Sequence, residues 1–151
     1  MKDKSIDYVL RTTWLAVQKM YNEEAAKFES TMATGFTLLS IDPEHGTPST
    51  SLGPKMGMEA TSLSRILKTM EERGLIERRP NPDDGRSVLI HLTEFGREKR
   101  EYSRDKVISF NEAIRKNIDP EKIENFYEVA QLINDMIANK KIYNQKESII
   151  K

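Results

Sequence analysis

The chain has 151 residues, with 24 Lys and Arg balancing 24 Asp and Glu, and no cysteine. That length suits one domain with a real core, and the missing thiols exclude disulfides, thiolate metal sites and cysteine redox switching. No apolar run approaches the roughly 18 residues of a membrane-spanning helix, and the opening "MKDKSIDYVL" lacks the apolar core of a secretory signal, so a cytoplasmic protein with no membrane partner is expected.

Charge is unevenly spread. The stretch 119–135 is acidic, with Asp119, Glu121, Glu124, Glu128 and Asp135 against Lys122 alone, while arginines concentrate between Arg65 and Arg104. With 37% hydrophobic and 32% charged residues, the composition leans toward helices with solvated faces.

Ile6, Val9, Leu10, Thr13, Trp14, Val17, Met20 and Tyr21 recur at three- and four-residue spacing, which predicts an amphipathic helix over 5–28. A shorter helix is expected over 34–41, followed by an irregular stretch, "DPEHGTPSTS", punctuated by Pro43, Gly46 and Pro48. Two helices follow, over 50–56 and 59–73, separated by Gly57. Because Gly53 and Pro54 are poor interior helix residues, the first of these is expected to start late, near an N-cap at Ser51. Gly74 ends the second helix as a glycine C-cap.

Short β-prone runs at 75–79 and 87–92 flank the turn formers Pro80, Asn81, Pro82, Asp83, Asp84 and Gly85, so a hairpin with a long protruding loop is predicted. Thr93 then caps a helix that reaches about residue 116, and Asp119-Pro120 restarts another, with Ile123, Phe126, Tyr127, Ala130, Ile133 and Ile137 as its stripe. The tail 139–151 is polar and expected to fray.

Two short helices joined at a glycine and followed by a hairpin make a winged helix-turn-helix, in a fold that is mainly α with a small β-hairpin wing. In the helix at 59–73, Leu63, Ile66, Leu67 and Met70 face the core, while Thr61, Ser62, Ser64, Arg65 and Lys68 form the other face. That face suits a DNA major groove: short hydroxyls allow close approach, Arg65 forks onto a guanine or a phosphate, and Lys68 reaches the backbone.

The segment "MGMEATSLSRILKTMEERGLIERRPNPDDGRSVLIHLTEFG" resembles the signature region of the MarR family of winged-helix transcriptional regulators. The family's wing pattern, Asp-x-Arg followed after five residues by Leu-Thr-x-x-Gly, is met by Asp84, Arg86, Leu92, Thr93 and Gly96. The resemblance implies a homodimer whose first and last helices pack across a two-fold axis, and a ligand-responsive repressor that binds a pseudo-palindromic operator. It makes the loop 80–87 the wing, Arg86 its minor-groove finger, and Asp84 the partner that orients this arginine. Bottom-up physics agrees, since a narrow groove attracts an inserted arginine and a carboxylate can fix a guanidinium as a bidentate pair. Arg78 and Arg79 become candidate phosphate contacts.

On this reading the chain is a single MarR-like domain with a DNA-reading head over 43–92 and helical dimerisation regions over 5–41 and 93–138. A small-molecule effector is a further implied partner, for which Trp14, Met20, Tyr21, Phe28, Met32 and Phe36 are the candidate lining, although such a stripe at helical spacing also suits plain core. Enzyme chemistry finds no support. His45 and His91 have no metal-ligand spacing, and no phosphate loop or nucleophile elbow is present, so neither cofactor nor metal is expected. The competing reading is a winged-helix protein-interaction module, favoured by the zero net charge.

Overall fold

The computed structural model describes residues 5–143; of the tail expected to fray, 144–151 lie outside the described residues. The chain forms two compact units, one ending at Lys106 and the other beginning at Val107, with the boundary inside a helix, α5 (Glu94–Asn117).

The first unit begins with α1 (Ile6–Ala26), whose N-cap Ser5 accepts from the Tyr8 N–H at 3.3 Å. Next comes α2 (Met32–Ser40), which starts two residues before the expected Thr34 because Thr31 is the N-cap and accepts from the Thr34 N–H. A hydroxyl upstream thus outweighed the apolar cluster as a start signal. Ile41 then leaves the helix in extended geometry and is buried.

A strand stands where only irregular chain was expected. β1 (Thr47–Pro48) pairs antiparallel with β3 (Val88–Leu92), which in turn pairs with β2 (Ile76–Pro80), giving the sheet order β1-β3-β2. The turn before β1 is held by Asp42, whose Oδ1 accepts from the N–H groups of His45 and Glu44, and these bonds keep its carboxyl below the usual carboxylate range.

The helix-turn-helix is α3 (Ser49–Met56) and α4 (Ala60–Glu72). The late start at Ser51 is corrected: α3 begins at Ser49, and Pro54 lies inside it. The helix ends two residues after the proline, before left-handed Gly57 (φ 63°), where Met58 N–H bonds to Gly53 O and closes the end. The second glycine stop is where it was expected: Gly74 has φ 74°, and Leu75 N–H reaches back to Met70 O at 2.9 Å.

The core of this unit lies under the reading head. Leu38 and Ile41, Leu52 of α3, Leu63, Leu67 and Met70 of α4, and Leu75, Ile76, Ile90 and Leu92 of the hairpin form one buried cluster, with Ile66 partly buried against it. At its edge, Thr93 Oγ1 donates to Gly74 O and accepts from the Gly96 N–H, which caps α5 and ties its start to the end of α4. α1, by contrast, has no buried residue, and Ile6, Val9, Leu10, Trp14 and Leu15 are exposed.

The second unit holds the remainder of α5 and α6 (Pro120–Ala138). Asp119 is the N-cap, accepting from the Glu121 N–H at 2.9 Å, with Pro120 at the first helical position as expected. Of the apolar stripe only Ile123 is buried; Phe126, Tyr127 and Ile137 are exposed, as are Val129 and Leu132.

Candidate nucleic-acid interface

The reading head offers two protrusions. The first is the outer face of α4. Alternation at helical spacing buries Leu63, Leu67 and Met70 and leaves Thr61, Ser62, Ser64, Arg65 and Lys68 exposed. No side chain caps the start of α4, so its first N–H groups remain available for acceptors such as phosphate oxygens. Among the described residues, neither Arg65 nor Lys68 has an ion-pair partner, which leaves two cations beside three hydroxyls.

The second protrusion is the wing, 81–87, between β2 and β3. Arg86 is exposed there, again with no carboxylate partner among the described residues. The role expected of Asp84 is corrected in its atoms. Asp84 Oδ1 accepts from the Arg86 backbone N–H at 2.9 Å rather than from the guanidinium. It therefore shapes the peptide that carries Arg86, an Asx turn, and leaves the guanidinium free.

Arg78 and Arg79 sit on β2 at the wing's base but are already paired. Arg78 Nε lies 3.4 Å from Glu71 Oε2 at the end of α4, and Arg79 pairs with Glu77 on its own strand. Sequence reasoning missed both carboxylates; Glu77, two residues before Arg79 on one strand face, was the readable one. A cavity of about 390 Å³ opens at the wing's neck, lined by Arg78, Arg79, Pro80, Asn81, Gly85, Ser87 and Val88.

The six residues put forward for an effector divide. Tyr21 and Phe36 meet edge-to-face at 5.6 Å, and burial pushes the Tyr21 phenol up. Phe28 instead meets Tyr102 in a tilted pair with ring centroids 4.3 Å apart and lies 5.4 Å from the Lys99 ammonium. Trp14 is exposed, whereas Met20 and Met32 are half-buried. His91 packs its ring against Gly46, where a Cβ would come within 2.7 Å of Nε2, and His45 sits in the Asp42 turn. Among the described residues no three His, Asp or Glu side chains gather into a metal-holding group, and no helix is long and apolar enough to cross a membrane.

An amphipathic second helix, a glycine-stopped turn and a three-stranded sheet ending in a loop define a winged helix-turn-helix. Residues 31–88 match the model of the MarR family. YdgJ, an HTH-type transcriptional regulator of Bacillus subtilis, is 30% identical over 88 residues, which are 58% of this chain and 54% of that protein, so the chain spans about half the length of this relative. Among solved structures, the Staphylococcus aureus MepR–DNA complex has a TM-score of 0.79 at 18% identity, over 88% of this chain and 99% of that one. CouR from Rhodococcus jostii RHA1, bound to p-coumaroyl-CoA, has a TM-score of 0.74 at 21% identity, over 86% of this chain and 92% of that one.

Proposed function

We propose that the chain is a sequence-specific, double-stranded-DNA-binding transcriptional regulator, a cytoplasmic ligand-responsive repressor rather than an enzyme, acting as a homodimer. One observation carries this reading: the cations Arg65, Lys68 and Arg86, which have no ion-pair partner among the described residues, lie on the outer face of α4 and on the wing, the two parts of this fold that reach a duplex. Thr61, Ser62, Ser64 and Arg65 read base edges in the major groove, and Lys68 holds phosphate. Arg86 enters the minor groove. Arg78 and Arg79 reach phosphate after giving up Glu71 and Glu77, exposed pairs that are cheap to exchange. The DNA held by MepR in its complex supports the assignment.

The exposed apolar faces of α1 and α6 support the dimer, since large unpartnered apolar surface is unusual on a monomer. Two heads related by a two-fold axis require a pseudo-palindromic operator with half-sites about one helical turn apart. The aromatic pair Tyr21 and Phe36, with Met20 and Met32 half-buried, is the part of the effector lining the reading retains, and the ligand carried by CouR favours an amphipathic or aromatic effector. Without cysteine, a response by thiol oxidation has no residue to act through.

Selection of bound sequences from a random duplex pool, followed by titration at two salt concentrations, tests the reading. A DNA reader enriches a palindrome and loses affinity steeply with salt. A winged-helix protein-interaction module, which the zero net charge would suit, enriches nothing.

Two substitutions refine the roles. Arg65→Ala is expected to weaken operator binding by about 1–3 kcal/mol while random duplex changes little. Equal losses on both would make Arg65 a phosphate contact. Arg86→Ala is expected to lower affinity and flatten the salt dependence by roughly one unit of log–log slope, with the melting temperature unchanged. Binding as tight as the parent's at every salt concentration would remove the wing from the mechanism.

A further inference from the structure

The neck of the wing is closed by a side-chain clasp outside the Asp-x-Arg signature. Asn81 uses both ends of its amide: Oδ1 accepts from the Asp83 N–H at 3.0 Å, and Nδ2 donates to Ser87 Oγ at 2.8 Å. Ser87 is 8% exposed, although 82–86 between the clasp partners are all exposed. From Ser87 the bonding continues toward the exposed loop, its N–H donating to Asp84 O at 3.2 Å while Asp84 Oδ1 accepts from the Arg86 N–H. Arg86 is therefore framed on both sides, by the Asx turn before it and by the anchored serine after it.

We propose that Asn81 and Ser87 are positioning residues for Arg86: their clasp sets the wing in its groove-entering shape before any duplex arrives. The inference rests on the DNA-reading function proposed above. Its physical basis is conformational entropy. Ordering a loop residue costs about 1–2 kcal/mol, and a loop already ordered in the free protein does not subtract that cost from binding. Gly85, where an added Cβ would meet nothing within 4 Å, is the point at which an unclasped loop would flex. The clasp touches no guanidinium and adds no charge, so it acts only through the arginine it presents.

The experiment measures duplex affinity, salt slope and amide exchange for Ser87→Ala and Asn81→Ala, each alone and combined with Arg86→Ala, against the operator selected with the parent protein. Asn81→Ala serves as the second variant because Asn81 is only half-buried, so its loss leaves the fold intact even where the Ser87 variant does not fold. Each is expected to lower affinity about 3–10-fold, the range of one net hydrogen bond, and to speed exchange of the Arg86 amide. In the Arg86→Ala background the same changes are expected to cost almost nothing more, since a positioning residue has no arginine left to position. Equal losses in both backgrounds, or unchanged affinity together with unchanged Arg86 amide exchange, would overturn the inference. A parent protein that selects no duplex would bring down the regulator reading itself, an outcome visible before any variant is made.

Discussion

Gly96→Ala is expected to destabilise the protein by about 3 kcal/mol or more, lowering the melting temperature by roughly 10 °C. A Cβ built at Gly96 would lie 1.9 Å from the Leu75 carbonyl oxygen and 3.0 Å from its carbon. Both are backbone atoms, so no rotamer relieves the clash. Leu75 cannot withdraw, because its side chain is in the core and its carbonyl accepts from the Thr93 N–H at 3.1 Å. The start of α5 would have to lift from the end of α4, and the Thr93 bonds to Gly74 and Gly96 would go with it. This is the physical content of the Leu-Thr-x-x-Gly pattern: the threonine ties two elements and the glycine lets them touch. Gly85→Ala provides the contrast, since its Cβ would meet nothing within 4 Å, and a change under about 0.5 kcal/mol is expected. Thermal unfolding of the two variants side by side decides the matter, and a Gly96→Ala protein as stable as the parent would discard the packing argument.

Phe126→Glu is expected to convert the proposed dimer into folded monomer at micromolar concentration and to weaken operator binding by about a hundredfold. Phe126 is 60% exposed in the protomer, and its neighbour Val129 54%, so a charge there costs the isolated chain little. A two-fold interface repeats every change, and each unpaired charge buried at an interface costs about 3–5 kcal/mol. Losing one head of a bivalent reader then removes the gain from simultaneous half-site engagement. Sedimentation with circular dichroism separates the outcomes: a dimer of unchanged affinity would place the interface elsewhere, and an unfolded chain would give Phe126 a role inside the protomer.

Most of the reading head was legible without coordinates because its signals are local. Leu63, Leu67 and Met70 repeat at helical spacing, and Gly57 and Gly74 supply the positive φ that stops a helix. Thr93 and Asp119 cap the helices that begin beside them, and the prolines and aspartates of 80–85 exclude a tight turn. Each of these depends on residues within one or two turns of one another, which a chain carries wherever it folds. By the same means the sequence alone determined the order of the helices and the hairpin and put Thr61, Ser62, Ser64, Arg65 and Lys68 on one face. Tertiary structure decided whatever needed a partner from far along the chain. β1 exists because Thr47 and Pro48 meet Ile90 and Leu89. Arg78 is held because the end of α4 brings Glu71 to it. Pro54 sits within α3 because that helix begins at Ser49, directly after β1, against the strong local disfavour for an interior proline. The apolar spacing of α1 and α6 marked them as faces to be covered, and only the folded protomer revealed that its own core leaves both faces largely bare.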